Sequence, residues 1–465
     1  MTRFLLINPP SPERLGTPLL GQQYVAAALL EAGCDVQVID AAARHFEHDT
    51  AWIVSRVQAF KPDMVGLGLF TRWVWHAYQL VEALRGEVPV MVAGGAHATV
   101  RPDETLARGF DIAVIGEAER TVVELVEWVE GQRPLSSVSG IRYRDSAGQI
   151  RCGRPGGLMA DLDSLARPAH AQPLYDSQWY DRSGRAAVPG GILTSRGCPA
   201  RCTFCANYVT GRRFRYRSAE DVVDELNAYH ERYGQCFFPC WDDALTANRR
   251  RLFHLCQVIE EEIRFDFTWS AITRATMVTP ELLAAMKRAG LAAVNFGVES
   301  GDDDILRAIK KGITTDHVVQ ALEWAKAAGL RTTCNFMLGF PQETPQALER
   351  TLRFMERIAP MVDNFSTMGV VVPFPGTPLY EAYHQEYGFT EWWLDESYSH
   401  YQAWPSIEDS ETFQRHYLDD ANLALDFFNY SAEMKALIRA CLRFKGEHNL
   451  RAMGLLDTAP AASLV

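Results

Sequence analysis

The first 140 residues alternate short apolar runs with amphipathic stretches. Five runs are rich in branched aliphatic residues: FLLINPP, DVQVIDA, DMVGLGLF, VPVMVAGG and IAVIGEAE. Between them lie stretches such as GQQYVAAALLEAG and WHAYQLVEALRG, in which apolar residues recur at helical spacing. Strands that alternate with helices pair in parallel and are buried on both faces. The pattern therefore predicts an α/β fold with a doubly wound, Rossmann-like domain over residues 1–140.

A second alternation of strand and helix patterns begins near residue 186. Its apolar runs are GGILTSRG, CFFPCWDD, FDFTWSAIT, AAVNFGVES, RTTCNFMLGFP and FSTMGVVVPFPGTP. Several of the helical stretches between them stop at a glycine, such as Gly234, Gly290 and Gly329. Six such units predict a partial (β/α)6 barrel over residues 186–390. Functional side chains should then lie at the C-terminal ends of the strands.

Two segments fall outside these alternations. Residues 141–185 are rich in Gly, Pro and Asp, and they predict a linker with a small hairpin around Ala147 and Gly148. Residues 391–465 carry helical patterns and many aromatic residues, which predict a small helical domain. Its aromatic residues either pack a core or form a cap that closes the barrel over a substrate.

Composition narrows the classes of partner. The 465 residues carry a net charge of -12 and no basic run, which argues against nucleic acid as a partner. No apolar run reaches the ~18 residues of a membrane helix, and the N-terminus is not typical of a secretory signal. We expect a cytoplasmic protein in which the ten cysteines are reduced core residues or metal ligands.

Three cysteines stand close together in RGCPARCTFCAN, namely Cys198, Cys202 and Cys205. A structural zinc site usually takes four protein ligands, and the nearest spare cysteines are Cys236 and Cys240. A 4Fe–4S cluster also normally takes four thiolates. With three, one iron is left open for chemistry, as on catalytic metals.

C-x-x-x-C-x-x-C with Phe204 before the last cysteine resembles the signature of the radical S-adenosylmethionine (SAM) superfamily. The resemblance implies that the open iron binds SAM. It places further SAM contacts at strand ends. Asp242 and Asp243 could instead cap a helix, and Arg274 could instead be a surface residue. The implied SAM-binding residues are Phe204, Asp242, Asp243, Arg274, Glu299, Ser300 and Gly339.

Glycines also follow the strands of the first domain. GLGLFT lacks the third glycine of a dinucleotide fingerprint, which argues against a nicotinamide or flavin cofactor. PLLGQQYVAAALLEAGCDVQVIDA, GGAHATVRPDE and IGEAERT resemble the cobalamin-binding domain that precedes many radical SAM enzymes. The implied cobalamin-binding residues are Gly21, Gln23, Thr71, Arg72, Trp73, Gly94, Gly95, His97, Gly116, Glu117 and Glu119.

The chain lacks the Asp-x-His-x-x-Gly motif whose histidine ligates cobalt from below in other cobalamin domains. In the resembling family the loop after the third strand covers that face of the cobalamin. Here that loop offers Arg72, Trp73, Trp75 and His76, unless its aromatic residues pack inward.

Together the two resemblances imply a cobalamin-dependent radical SAM enzyme. The expected reaction methylates an unactivated carbon of a small-molecule substrate, through methylcobalamin and a 5′-deoxyadenosyl radical. Its cofactors would be a 4Fe–4S cluster, SAM and cobalamin, with a flavodoxin or ferredoxin as electron donor. The alternative is a cyclase, oxidase or rearrangement enzyme that transfers no methyl group. A non-enzymatic sensor is disfavoured, because no DNA-binding or signalling element is recognisable. The substrate itself stays open.

Overall fold

Two parallel sheets organise the chain. Its computed structural model describes residues 1–11, 17–43, 50–176, 179–180, 190–398 and 425–456. The strands of the first sheet are β1 (Arg3–Asn8), β2 (Asp35–Asp40), β3 (Met64–Gly68), β4 (Val90–Gly94), β5 (Ile112–Val114), β6 (Ile141–Arg144) and β7 (Ile150–Cys152). Their order is β2-β1-β3-β4-β5-β6-β7, and β1 to β5 pair in parallel. This is a doubly wound order, as predicted, and it places the ligand crevice at the C-terminal strand ends.

Helices cover both faces of the first sheet. They are α1 (Leu20–Glu31), α2 (Thr50–Phe60), α3 (Val74–Ala83), α4 (Gly95–Val100), α5 (Pro102–Ala107) and α6 (Glu119–Val129). Alternate residues of β1 point to opposite faces. Phe4 and Leu6 pack in one core with α1 and α6, whereas Leu5 and Ile7 pack in the other with α2 and α3. Burial on both faces explains the uninterrupted apolar runs.

The β6–β7 hairpin extends the first sheet. β6 pairs antiparallel with β5, and β7 pairs antiparallel with β6. The turn contains Gly148 at φ +75°, where the predicted hairpin bends. Residues 141–152 are therefore part of the sheet, and the predicted boundary at residue 140 falls between two of its strands.

The second sheet is the barrel wall. Its strands are β10 (Phe237–Cys240), β11 (Thr268–Thr273), β12 (Leu291–Glu299), β13 (Arg331–Leu338) and β14 (Asn364–Val370), paired in parallel in chain order. The first predicted strand is reduced to one parallel bridge between Ile192 and Cys240. Immediately after it, β8 (Ser195–Arg196) pairs antiparallel with β9 (Arg215–Tyr216).

Helices follow the barrel strands as predicted. They are α7 (Ala219–Tyr233), α8 (Arg249–Glu262), α9 (Pro280–Arg288), α10 (Asp303–Ala308), α11 (Thr315–Ala327), α12 (Pro345–Ile358) and α13 (Pro378–Tyr383). Gly234, Gly290 and Gly329 have φ of +64°, +87° and +67°. A residue without Cβ adopts this left-handed conformation at no steric cost, which explains why the chain leaves helices there.

The described part of the C-terminal region lies against the edge of the barrel. Helix α14 (Ala432–Ala452) packs beside α12 and β14. Asn449 pairs with the backbone of Phe365 at 2.8 and 2.7 Å, which satisfies part of an otherwise open strand edge. Residues 399–424 and 457–465 of the predicted cap lie outside the described residues, so the cap stays a prediction. No described helix combines the length and apolarity needed to cross a membrane.

Candidate active site

The three cysteines of the motif line one cavity of about 400 Å3 at the C-terminal ends of the barrel strands. They lie on the loop that leaves β8, which brings Cys198, Cys202 and Cys205 to the barrel mouth. Burial raises the pKa of the Cys198 thiol, and it raises that of Cys205 to about 11. Arg274 donates from Nη1 to the Cys202 sulfur at 3.3 Å. A positive charge therefore stands beside the sulfur atoms.

The donor set fits a cluster with an open iron better than a four-cysteine zinc site. Among the described residues that line the cavity, no fourth cysteine is present. Cys240 is buried in β10, and Cys236 is exposed with its sulfur 3.5 Å from the Gly234 carbonyl. The spare cysteines of the zinc alternative thus lie elsewhere.

Four of the residues implied to bind SAM line the same cavity, namely Phe204, Asp243, Arg274 and Glu299. Glu299 has φ +74°, a strained value for a residue with a side chain. Its carboxylate accepts a hydrogen bond from Lys311 Nζ at 2.7 Å in a buried ion pair. Sequence reasoning missed Lys311, which also lies 5.9 Å above the Phe204 ring. In the sequence, the position of Lys311 between a short helix and Gly312 is the only indication that it could belong to the site.

Asp242, Ser300 and Gly339 lie outside the cavity, contrary to expectation. Asp242 is buried and accepts from the backbone nitrogen of Thr194 and from the Thr194 and Ser195 hydroxyls, at 2.5 to 2.6 Å. Ser300 is buried with its hydroxyl 3.2 Å from Thr351 Oγ1. The side chains of Asp242 and Ser300 therefore stabilise the backbone around the cavity.

Gly339 is covered by the C-terminal region. Its carbonyl accepts from the Tyr430 hydroxyl at 2.6 Å, and a Cβ at Gly339 would fall 2.3 Å from that oxygen. The glycine is needed for this close approach.

A second cavity, of about 280 Å3, opens at the C-terminal strand ends of the first sheet. Of the residues implied to bind cobalamin, six line it: Gly21, Gly94, Gly95, Gly116, Glu117 and Glu119. A Cβ added at Gly21, Gly68 or Gly94 would meet no atom within 4 Å, so side chains there would fill the cavity instead.

The deep end of this cavity is apolar. Phe4 and Leu6 of β1, Val92 of β4 and Val114 of β5 line it between the sheet and its helices. A glycine-lined mouth above an apolar slot suits a large ligand with a flat body and a part that inserts into the domain. The residues present therefore fit cobalamin.

Five residues implied to bind cobalamin do not reach this cavity. His97 is fully buried, and its ring nitrogens lie 3.1 Å from Thr71 Oγ1 and 3.1 Å from the Tyr78 hydroxyl. Gln23 is buried and donates to Gln172 at 3.2 Å. The remaining three are Thr71, Arg72 and Trp73, which form a short 3-10 turn and do not line the cavity.

The loop after β3 reaches the cavity through Phe70 instead. The Phe70 ring packs edge-on against Trp73, with 5.8 Å between ring centroids. Phe70 was not predicted as a contact residue, because a single phenylalanine at a strand end is typical of a core residue.

The two cavities adjoin at one short segment of the cluster loop. Asn207 and Tyr208 line the first cavity, whereas Val209 and Thr210 line the second. The Thr210 hydroxyl donates to Asp243 Oδ2 at 2.6 Å. The strand ends of the first domain therefore face the barrel mouth, as chemistry between two cofactors requires.

Two family models match the chain where these cavities lie. The radical SAM superfamily matches residues 192–355, and the B12 binding domain matches residues 16–126. An uncharacterized methyltransferase of Pyrococcus horikoshii is 32% identical over 391 residues, which are 82% of this chain and 82% of that relative. The chain belongs to the radical SAM enzymes with a B12-binding domain. Its cofactors are accordingly a 4Fe–4S cluster, SAM and cobalamin.

Two further proteins are similar to this radical SAM enzyme, one in sequence and one in fold. An anaerobic magnesium-protoporphyrin IX monomethyl ester cyclase of Cereibacter sphaeroides is 28% identical over 370 residues, 77% of this chain and 59% of the cyclase. The structure of the radical SAM methyltransferase TsrM from Kitasatospora setae, with cobalamin and a [4Fe-4S] cluster bound, has the same fold. The TM-score is 0.66 at 19% identity, over 83% of this chain and 75% of that one.

Proposed function

We propose that this enzyme methylates an unactivated carbon of a small-molecule substrate. The observation that carries the proposal is the meeting of the two cavities at Tyr208 and Val209. When bound, the cluster with SAM supplies a 5′-deoxyadenosyl radical, and cobalamin supplies the methyl donor. A substrate carbon between the cavities would lie within reach of both, which removes most of the entropic cost of bringing three reactants together.

The charges around the first cavity suit the groups we place there. Cys198, Cys202 and Cys205 would hold three irons and leave the fourth open. Arg212, Arg274 and Lys311 line the same cavity. Three cations near the anionic cluster and the carboxylate of SAM reduce the cost of burying negative charge.

Two acidic residues of the cavity would orient SAM. Glu299 presents a carboxylate that Lys311 holds in place through an ion pair, and a carboxylate accepts hydrogen bonds from hydroxyl groups such as those of a ribose. Asp243 Oδ2 accepts from Gly197 N at 2.9 Å and from Thr210, so its position is fixed before any ligand binds.

The second candidate is a cyclase, oxidase or rearrangement enzyme that uses the same cofactors without methyl transfer. The cyclase among the relatives favours it. Both candidates need the cavities to adjoin, and they differ in whether the methyl group of SAM reaches the product.

The decisive experiment supplies SAM labelled in its methyl group. The enzyme is reconstituted with iron, sulfide and hydroxocobalamin, reduced, and incubated with fractionated small molecules from the producing cells. We expect S-adenosylhomocysteine and 5′-deoxyadenosine in equal amounts, with the label in a new product. Formation of 5′-deoxyadenosine and an unlabelled product would contradict methylation and favour the second candidate. A flavodoxin or ferredoxin should replace the chemical reductant.

A further inference from the structure

Four charged side chains are buried together where the first domain contacts the barrel. Arg196 of β8 pairs with Glu119 at 2.6 Å and with Glu117 at 3.2 Å, and Arg215 of β9 pairs with Glu117 at 2.8 Å. Each of the four side chains is less than 10% exposed. Hydrophobic residues would fill such an interface at less desolvation cost, so this network suggests a requirement for one defined geometry.

One end of this network forms a wall of the cobalamin cavity. Glu117, Glu119 and Arg196 all line that cavity. The Arg196 guanidinium lies 4.7 Å from the centroid of the Tyr24 ring of α1, which fixes its plane. Arg215 donates to the Thr210 carbonyl at 2.8 Å, next to the segment that separates the cavities. A ligand in the second cavity would therefore touch the network.

The other end leads directly to the cluster loop. Only Gly197 separates Arg196 from Cys198, and its φ is +87°. A Cβ at Gly197 would fall 2.3 Å from the Arg213 carbonyl oxygen. The Gly197 nitrogen donates to Asp243, which lines the first cavity. A displacement of Arg196 is thus passed to Cys198 and Asp243 through a segment with little freedom.

We propose that Arg196 is a positioning residue that fixes the distance between cobalamin and the cluster, by anchoring the cluster loop to Glu117 and Glu119. The proposal rests on the proposed function only in taking both cofactors to be bound. It assigns the carboxylates a role in docking the two domains, in addition to lining the cobalamin cavity.

The test measures the distance between the two cofactors without any substrate. The holoenzyme is poised with a reduced, paramagnetic cluster and cob(II)alamin, and the dipolar interaction between the two spins is recorded by pulsed electron paramagnetic resonance. We expect one narrow distance in the unaltered enzyme. Glu119→Gln and Arg196→Lys should broaden or shift it by about 1 Å or more, a misplacement that costs on the order of 10²-fold in rate. The double variant should add little to either single change.

Arg217→Lys is the matched control. Arg217 is also buried and pairs with Glu225 and Asp221, but all three residues lie in the barrel. Both arginine variants should lower the unfolding temperature of the apo-protein, and only Arg196→Lys should change the distance. An unchanged distance in Glu119→Gln and Arg196→Lys, or an equal change in Arg217→Lys, would overturn the proposal.

The outcome separates this inference from the proposed function. Methyl transfer by an enzyme whose variants keep the original distance refutes the inference alone. A distance that changes as expected, in an enzyme that transfers no methyl group, refutes the proposed function alone.

Discussion

The Glu299–Lys311 pair is the feature of the first cavity that single-residue changes test best. Glu299→Gln keeps the size of the side chain and removes the charge that we expect to accept from a hydroxyl group of SAM. A hydrogen bond to a charged group contributes about 1.5–3 kcal/mol, so SAM should bind roughly 10- to 100-fold more weakly. The measurement is the SAM concentration that half-shifts the resonance signal of the reduced cluster. Wild-type affinity in Glu299→Gln would refute this role.

Phe70 and Trp73 form a matched pair for the second cavity. Phe70 lines the cavity, whereas Trp73 packs behind it. Burial of a phenylalanine side chain contributes about 1.5–3 kcal/mol. Phe70→Ala should therefore weaken cobalamin binding roughly 10- to 100-fold, and Trp73→Ala should weaken it less. Absorbance titration with hydroxocobalamin measures both, and the reverse ranking would restore Trp73 as the contact residue.

At the residue scale, site residues could be predicted from the sequence where backbone conformation or motif spacing determines their position. They could not be predicted where contacts between distant parts of the chain determine it. The glycines of the second cavity and the three cysteines fall where expected. His97 does not, because Thr71 pairs with its Nδ1, Tyr78 and Glu104 pair with its Nε2, and Trp393 packs 5.6 Å from it. Trp393 is almost 300 positions away along the chain, and no local sequence pattern predicts a contact with so distant a residue.

At the scale of elements, the strand β8 is held by Asp242. Asp242→Asn removes one charge and replaces one of the two accepting oxygens by an amide group. Buried donors of Thr194 and Ser195 then lose their acceptor. The cost should be about 1–3 kcal/mol, visible as a lower unfolding temperature and less iron retained. The neighbouring substitution Asp243→Asn is the control. Because Asp243 lines the cavity, this substitution should weaken SAM binding more than it lowers stability. Equal stability in both variants would contradict the assignment.

The succession of strands and helices was predictable from periodicity, and the exceptions have local causes. The first barrel strand contains GGILTSRG, yet only Ile192 bridges to β10. A Cβ at Gly190 or Gly191 would fall within 2.8 Å of Tyr229 or Trp241. These glycines serve close packing instead of an extended ladder. The β6–β7 hairpin was predicted, but its attachment to β5 depends on strand pairing that a local pattern does not specify.

At the scale of the whole molecule, Glu343 should give stability a dependence on pH. It lies beneath the C-terminal region and accepts from Gly339 N at 2.5 Å and Phe340 N at 3.0 Å. Burial raises its pKa to about 8 in the folded protein. The unfolded chain releases this proton near pH 4.5, so its contribution to stability is full below that pH and is lost as pH rises towards 8.

The expected change in the free energy of unfolding is up to about 5 kcal/mol between pH 4.5 and 8. Glu343→Gln stays neutral at every pH and should remove this slope. The unfolding temperature of the apo-protein, followed from pH 5 to 8 in both proteins, measures it. Loss of the slope would also show that the carboxyl group of Glu343, in the loop to which Tyr430 donates at Gly339, is neutral in the folded protein. A parallel decline in both proteins would assign the slope to other groups.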